Sequence, residues 1–392
     1  MFQDRGPGDS LLGTYGDSAT IPAQGPDRRV WRRASRHGVK AWQRGVTESI
    51  SSRLCFFASG PIVRVDISTE LVAHVSGVHH CGSPWSCPIC APVVRERRAQ
   101  EVDLALSGHL GSGGGGLFVT FASRHHRADD LAPRLDLMGE VLHSTLQGRT
   151  WSVFKRRLGY MGACRVVEVT YGFNGWHPHC HSAFVLEGRP VFDVVEDLQG
   201  WLFERFQGVC LRRGFGTLER PYGVDVRGIS DGGGMGDYLS KVEGGWTAGL
   251  ELARGDVKVA RGDGGRSPFS ILRAAASGDS ASAALWSEYE RATFGKRFLR
   301  WSPGLRARLL PEVEEISDVE AAAAEGAGVV LFSCLFEGEV WDVLVTEGST
   351  GVLLAELERA VGDGDVLDVL ERWGGMTERD YVTWSLETEV TT

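Results

Sequence analysis

The amino-acid sequence predicts an α+β fold in which helices flank an antiparallel sheet. Residues 117–121 have the composition of a strand, and residues 131–146 have the apolar spacing of a helix. A predicted hairpin over residues 165–186 and a second predicted helix over residues 193–213 follow. Strand, helix, hairpin and helix in this order are typical of an antiparallel sheet on which helices pack.

The N-terminal region predicts no part of this sheet. Residues 1–27 are rich in Gly, Pro, Asp and Ser, which is typical of a disordered tail. Basic residues interleaved with tryptophan follow from residue 28 to residue 44. They suit an arm that contacts DNA through Arg32, Arg33 and Arg36, because cations meet phosphates and aromatic rings stack on bases. An amphipathic helix whose tryptophans pack on the next domain explains the pattern equally well.

Half of the eight cysteines have the spacing of a structural zinc site, in which four thiolates surround one ion. These four are Cys55, Cys81, Cys87 and Cys90. His79 and His80 compete with Cys55 for the fourth place. Disulfides are the rival interpretation. We find no secretory signal, however, so the chain is expected in the cytoplasm, where a Cys-x-x-Cys pair more often binds metal. The remaining cysteines lie in apolar surroundings and are expected in the core: Cys164, Cys180, Cys210 and Cys334.

The predicted hairpin places a carboxylate opposite a histidine. Residues 165–170 form its first strand, and turn residues 172–175 join it to the strand that contains His179 and His181. These two side chains share one face because alternate residues of a strand point the same way. If Tyr171 pairs with Trp176, Glu168 lies opposite His179. Two imidazoles and one carboxylate suit a divalent ion such as Mg²⁺ or Mn²⁺, or a transition metal, held with open positions for substrate. A half-exposed polar sheet face is the plain alternative.

A tyrosine near a lysine forms a second candidate site. A glycine-rich stretch, residues 232–236, leads into a predicted helix on which Tyr238 and Lys241 share a face. The lysine would stabilise the phenolate of Tyr238, which makes this tyrosine a candidate nucleophile toward a phosphodiester. A lone tyrosine more often serves packing, so the prediction depends on its occurrence in the same chain as the predicted metal site.

Taken in order, these segments resemble the HUH endonuclease superfamily, and within it the rolling-circle replication initiators of actinobacterial plasmids. Residues 116–121 resemble the first motif of that family, residues 168–181 the metal-binding motif and residues 238–242 the nucleophile motif. Residues 285–296 resemble the region that follows in these initiators. The resemblance covers residues 51–310.

The resemblance implies a residue-level chemistry. His179, His181 and Glu168 would hold the metal, and Tyr238 would cut single-stranded origin DNA, leaving a 5′-phosphotyrosine and a free 3′-hydroxyl. Lys241 would balance charge at the nucleophile or help to place the metal. The resemblance also favours Cys55 as the fourth zinc ligand, and it implies a host helicase and a polymerase as partners. Some relatives carry a glutamate four residues before the tyrosine, where this chain has Gly234.

Charge is divided unevenly along the chain. Residues 311–392 contain 20 acidic residues and three arginines, a net charge of −17, whereas residues 1–310 have a net charge of +8. Contacts with DNA phosphates need positive charge, so we expect residues 1–310 to bind DNA. Lys296 and Arg297 are further candidates for these contacts. No apolar run is long enough to cross a membrane.

The predicted organisation has five segments. They are a disordered tail and basic arm (1–50), a zinc-binding segment (51–110), the HUH core (111–250), a basic helical extension (251–310) and a small acidic α/β appendage (311–392). Within the appendage, residues 328–332 and 341–345 are predicted strands, and residues 353–361 and 366–373 are predicted helices.

Two other functions remain open at this point. A transposase or a conjugative relaxase would use the same metal-assisted tyrosine chemistry on a different DNA. A non-catalytic, zinc-dependent DNA-binding regulator would make no covalent adduct with DNA.

Overall fold

The computed structural model describes residues 26–220, 222–229, 265–324, 328–360 and 362–377, with side chains described from Arg33 onward. Helices and antiparallel sheets are mixed in it, which confirms the α+β class. In chain order the helices are α1 (Pro26–Val46), α2 (Ile50–Leu54), α3 (Cys90–Gly111), α4 (Leu131–Thr145), α5 (Gly148–Leu158), α6 (Phe192–Arg212), α7 (Pro268–Ala276), α8 (Ser280–Thr293), α9 (Leu305–Leu309), α10 (Asp318–Ala323), α11 (Gly338–Glu347), α12 (Thr350–Leu357) and α13 (Asp363–Trp373).

Within the described residues, the larger sheet has five strands in the order β6-β3-β5-β4-β7, and all neighbours are antiparallel. Its strands are β3 (Gly115–Ala122), β4 (Tyr160–Gly172), β5 (Gly175–Leu186), β6 (Val224–Ile229) and β7 (Leu299–Trp301). The predicted hairpin is β4–β5, and its register is confirmed: Tyr171 pairs with Trp176, and Glu168 pairs with His179. Gly175 has a φ of +87°, which a residue without a Cβ adopts readily at the turn.

One face of the larger sheet is packed by helices and forms the main core. Leu117, Val119 and Phe121 of β3 are fully buried on this face, while Phe118 and Thr120 alternate to the other face. Phe121 packs edge-to-face against Phe206 of α6. The strict alternation in β3 therefore leaves Thr120, with Phe118 two residues before it, on the second face of the sheet.

The smaller sheet joins the two ends of the described chain. It has the order β2-β1-β8-β9, with β1 (Ile62–Ser68), β2 (Ala73–Ser76), β8 (Val330–Glu337) and β9 (Gly375–Thr377), all antiparallel. Val63 and Val65 of β1 pack with Phe336 of β8 and Trp341 of α11 in a second core. Segments that the sequence places in the zinc-binding region and in the acidic appendage thus share one sheet.

One predicted strand of the acidic segment is wrong. Residues 341–345 belong to helix α11, in which Trp341, Leu344 and Val345 are buried while Val343 is exposed. This spacing is that of one helix face, and the short apolar run resembled a strand because it is too brief to show a period. The helix begins where a Cβ on Gly338 would lie 2.6 Å from the carbonyl oxygen of Gly60, so only glycine fits there. The other predicted strand and both predicted helices occur as β8, α12 and α13.

Helix α1 packs inside the molecule along much of its length. Val39, Lys40 and Gln43 are buried, and Trp42 packs against the main core. A Cβ on Gly351 of α12 would lie 2.7 Å from the Cα of Ala34, so the two helices are in close contact. These contacts favour the amphipathic-helix interpretation of residues 33–46 over that of an extended arm.

Candidate metal centres

The hairpin brings Glu168, His179 and His181 together on one face of the larger sheet. His179 lies directly opposite Glu168, and His181 is two residues further along β5 on the same face. Nε2 of His179 is 2.9 Å from Oε2 of Glu168, and Nε2 of His181 is 3.3 Å from the same oxygen. One donor atom from each residue lies within 4.8 Å of the others, which is the arrangement predicted from the sequence. We call these three residues the triad.

The triad is sheltered from water. Glu168 is 2% exposed and His181 is 7% exposed, whereas His179 is only partly buried. A buried carboxylate is costly unless cationic or hydrogen-bonding groups compensate it, and both imidazoles face the same carboxylate oxygen. This donor set of one carboxylate and two imidazoles fits a divalent ion, with Nε2 of each ring and the Glu168 carboxylate as ligands.

Neighbouring side chains orient His181. Nδ1 of His181 is 3.1 Å from Oγ1 of Thr120, which lies opposite it on β3, and this contact leaves Nε2 directed toward Glu168. The ring also packs against Phe118 with centroids 5.4 Å apart. Such supporting contacts fix the orientation of metal-ligating histidines. Thr120 was not among the residues predicted for this site, although the alternation in β3 could have placed it on the triad face.

The third histidine of the strand does not join the triad. The ring of His177 stacks on that of His125, with centroids 4.6 Å apart, and lies 5.1 Å from that of His179. Burial, followed by the charges that His179 and His125 would carry, lowers the pKa of His177 to about 3. The His177 ring is therefore neutral near pH 7, and it extends the row of imidazoles toward the hairpin turn.

The four predicted cysteines form a second cluster. Sγ of Cys55 is 3.6 Å from that of Cys87 and 3.4 Å from that of Cys90, and Cys81 is 3.9 Å from Cys90. Four sulfurs around zinc at ~2.3 Å stand about 3.8 Å apart, so the spacing fits a tetrahedral site. These sulfur–sulfur distances exceed the disulfide bond length of about 2.05 Å, so the geometry favours the metal site over the disulfide alternative.

The cluster contains Cys55 rather than a histidine. Cys55 ends helix α2, while Cys87 and Cys90 flank the start of α3. His79 is exposed, and Nδ1 of His80 lies 3.8 Å from Sγ of Cys90 without joining the set. Burial alone would raise the pKa of Cys87, but hydrogen bonds from the other three thiols outweigh it and lower that pKa well below its usual range.

The remaining four cysteines are buried, as expected for core thiols. Burial raises the pKa of Cys164, Cys210 and Cys334 to about 12, so these thiols stay protonated and unreactive.

Some of the other predicted site residues lie within the described residues and some do not. Tyr238 and Lys241 lie outside the described residues, as does the side chain of Arg32. Arg33 forms an ion pair with the buried Glu358, which directly follows α12. Arg36 is half-buried. Lys296 forms an ion pair with Asp136, and Arg297 is exposed.

Within the described parts of the chain, no helix has the length and apolar character needed to cross a membrane.

Comparison with known proteins places this α+β protein, with its two possible metal centres, in a family. It is 30% identical over 335 residues to "Protein rep" of Streptomyces lividans, and the match covers 69% of this chain and 73% of that protein. The chain therefore belongs to the Rep protein family. A second relative, "Neomycin resistance protein" of Streptomyces cyanogenus, is 33% identical over 138 residues, or 29% of this chain and 32% of that protein. No family model and no solved structure matches the chain.

Proposed function

We propose that this Rep-family chain is a plasmid rolling-circle replication initiator of the HUH endonuclease type, which nicks single-stranded origin DNA and later rejoins strands. The observation that carries the proposal is the convergence of Glu168, His179 and His181 on one sheet face. Membership of the Rep family supports the role in plasmid replication, and the basic character of residues 1–310 supports binding to DNA.

The proposed chemistry is a transesterification. The phenolate oxygen of Tyr238 attacks the scissile phosphorus, the bond from phosphorus to the 3′-oxygen breaks, and that oxygen leaves with a proton as a free 3′-hydroxyl. The phosphate stays joined to Tyr238 as a 5′-phosphotyrosine, which conserves the bond so that a later 3′-hydroxyl can rejoin the strand without ATP. Lys241 stabilises the phenolate through its positive charge.

The triad supplies the electrostatic part of this reaction. Glu168, His179 and His181 would hold Mg²⁺ or Mn²⁺, which when bound withdraws charge from the phosphate. Thr120 orients His181, and the burial of Glu168 keeps the carboxylate in place. The segment that contains Tyr238 begins after Ile229 of β6, and the described chain resumes beside β4, where the backbone of Arg266 pairs with Tyr171.

The cysteine cluster would bind structural zinc through Cys55, Cys81, Cys87 and Cys90. The protein would work in the cytoplasm with a host helicase and a host polymerase.

A covalent-adduct experiment tests the nucleophile. The chain is incubated with Mn²⁺ and end-labelled single strands that tile the origin region of its plasmid, and a protein–DNA band that survives denaturation is expected. Tyr238→Phe should abolish this band while leaving DNA binding nearly intact. Tyr171→Phe is the matched control, because Tyr171 is a partly buried tyrosine on β4, three residues from Glu168.

Each alternative function predicts a different result. An adduct that persists in Tyr238→Phe would make the nucleophile assignment wrong. A wild-type chain that binds DNA and never forms the adduct would support the non-catalytic regulator. Adducts with transfer-origin or transposon-end strands, in place of plasmid origin strands, would indicate a relaxase or a transposase.

A further inference from the structure

The strand pairing brings three connecting segments to one end of the larger sheet. The β4–β5 turn lies there, β3 ends there at Ala122, and β6 begins there next to Phe121. The amide of Ala122 donates to the carbonyl of Gly223, 3.0 Å away, which joins the end of β3 to the residues before β6. A Cβ on Gly175 would lie 2.9 Å from the Cα of Arg127, so the loop after β3 packs against the hairpin turn.

Two aromatic side chains at this end are largely exposed. Phe173, in the turn itself, is 86% exposed, and Tyr222, just before β6, is 77% exposed. A single exposed aromatic needs no explanation, but two beside a candidate active site, on segments that the sheet brings together, indicate a surface that binds something.

Cations accompany these rings. Arg124 and Arg127 are exposed on the loop after β3. Arg124 is 3.3 Å from Glu219, and both side chains are more than half exposed, so this ion pair is weak and a phosphate can replace the carboxylate. Exposed aromatics next to arginines match single-stranded nucleic acid, in which unpaired bases stack and phosphates need positive charge.

The surface is close to the triad. The pair Glu168–His179 lies four residue pairs inward from the pair Gly172–Gly175 at the turn, which is roughly 14 Å along the strands. At ~3.4 Å per stacked nucleotide, this distance corresponds to about four nucleotides. A strand with its scissile phosphate at the triad therefore reaches Phe173 within a few nucleotides of the cut.

We infer that Phe173, Tyr222, Arg124 and Arg127 form a platform for single-stranded DNA, on which the two rings stack with bases while the arginines contact phosphates. We call these four residues the hairpin-edge platform. The inference rests on the proposed function, because it assigns the platform to the strand that the triad would cut. It also predicts that recognition at this position tolerates different bases, since stacking depends little on sequence.

The first test measures binding without any cutting. Fluorescence anisotropy with labelled oligothymidylate should show that Phe173→Ala raises Kd roughly 5- to 150-fold, since loss of one stacked base costs about 1–3 kcal/mol. Phe173→Trp should restore binding and Phe173→Leu should not, because stacking needs an aromatic ring. Phe192→Ala is the matched control: Phe192 is 71% exposed, and it begins α6 beyond the opposite end of β5.

Further variants separate stacking from charge. Tyr222→Ala should weaken binding in the same way, and Tyr222→Phe should not. Arg127→Ala should reduce the slope of log Kd against log salt concentration by the amount expected for about one phosphate contact. Phe173→Ala should leave that slope unchanged. A Phe173→Ala chain with wild-type affinity, or Phe173→Leu that restores binding as well as Phe173→Trp, would overturn the inference.

The second test separates the platform from the catalytic proposal. With an oligonucleotide that contains the mapped cut, Phe173→Ala should raise KM and leave kcat at saturating DNA unchanged. If the wild-type chain binds oligothymidylate through Phe173 but never nicks, the proposed function fails while the platform stands. If the chain nicks normally in Phe173→Ala at every DNA concentration, the platform fails while the proposed function stands.

Discussion

Replacing Glu168 by glutamine separates a metal-binding role from a structural one. The substitution keeps the size of the side chain and removes its charge, 2.9 Å from Nε2 of His179 and 3.3 Å from that of His181. Without metal, the amide can still accept a hydrogen bond from His179, and one buried charge is lost. We therefore expect the free energy of unfolding of the metal-free variant to fall by no more than about 1 kcal/mol, and we expect any larger change to be an increase.

The response to metal should change far more. An ion that binds only the folded chain stabilises it by about 2.7 kcal/mol at a hundredfold excess over Kd, which corresponds to roughly 3 °C in Tm for a chain of this size. Glu168→Gln should lose most of this Mn²⁺-dependent rise in a thermal unfolding experiment. Isothermal titration calorimetry should show the matching loss of affinity.

Asp225→Asn is the control for general electrostatics. Asp225 pairs with Thr120 across β6 and β3, and Thr120 pairs with His181, so Asp225 lies on the triad face two strands away from His181. Asp225 is bound to Arg227 at 2.7 Å, and its neutralisation should leave the Mn²⁺ response in place. A wild-type Mn²⁺ response in Glu168→Gln, or an equal loss in Asp225→Asn, would refute the ligand assignment.

Three further predictions concern the rest of the fold. Cys55→Ser should lower the zinc content measured by atomic absorption and should lower Tm, while His80→Ala should retain zinc; the opposite result would exchange their roles. Burial first, and then the charges of Arg33 and Arg44, lower the pKa of His37 to about 3 in the folded chain. In the unfolded chain this pKa is about 6.5. The folded state is therefore most stable above pH 6.5 and loses stability below it, where the unfolded chain takes up a proton that the folded chain does not. As pH falls below 6.5, urea unfolding should show a loss of about 1.4 kcal/mol per pH unit that is absent in His37→Gln, and parallel pH profiles would contradict this. Gly351→Ala should destabilise the fold by about 1–3 kcal/mol because its Cβ would meet the backbone of α1, whereas Gly364→Ala, with open space around it, should be nearly neutral; equal effects in chemical unfolding would show that α1 is not packed as described.

The triad could be predicted from the sequence because its information is local. Residues 172–175 close the hairpin, and the two-residue period of a strand then fixes which side chains face each other. Thr120 could not be assigned in the same way, since its contact with His181 depends on the register between strands that are far apart in the chain. Tyr238 remains a prediction from the resemblance, because it lies outside the described residues.

The organisation of the chain ends was harder to predict from the sequence. Charge made residues 311–392 look like a separate appendage, but charge acts at the surface and says nothing of which backbone edge a strand will pair with. The pairing of β8 with β1 carries no local signal, since the strands are separated by the entire larger sheet. The tryptophan-rich basic stretch was ambiguous between DNA contact and packing, and burial of Val39 and Lys40 favours packing for its second half.

The pairing of β1 with β8 makes the smaller sheet a discontinuous domain, with the larger sheet inserted between its halves. During synthesis β1 emerges early and must wait, with an open hydrogen-bonding edge, until residues 330–337 leave the ribosome. A nascent chain stopped before that point lacks the strand that closes the sheet and the α12 surface on which α1 packs. The strand that completes the fold thus comes from the acidic end of the chain, so a prematurely terminated product exposes its apolar β1 face to aggregation.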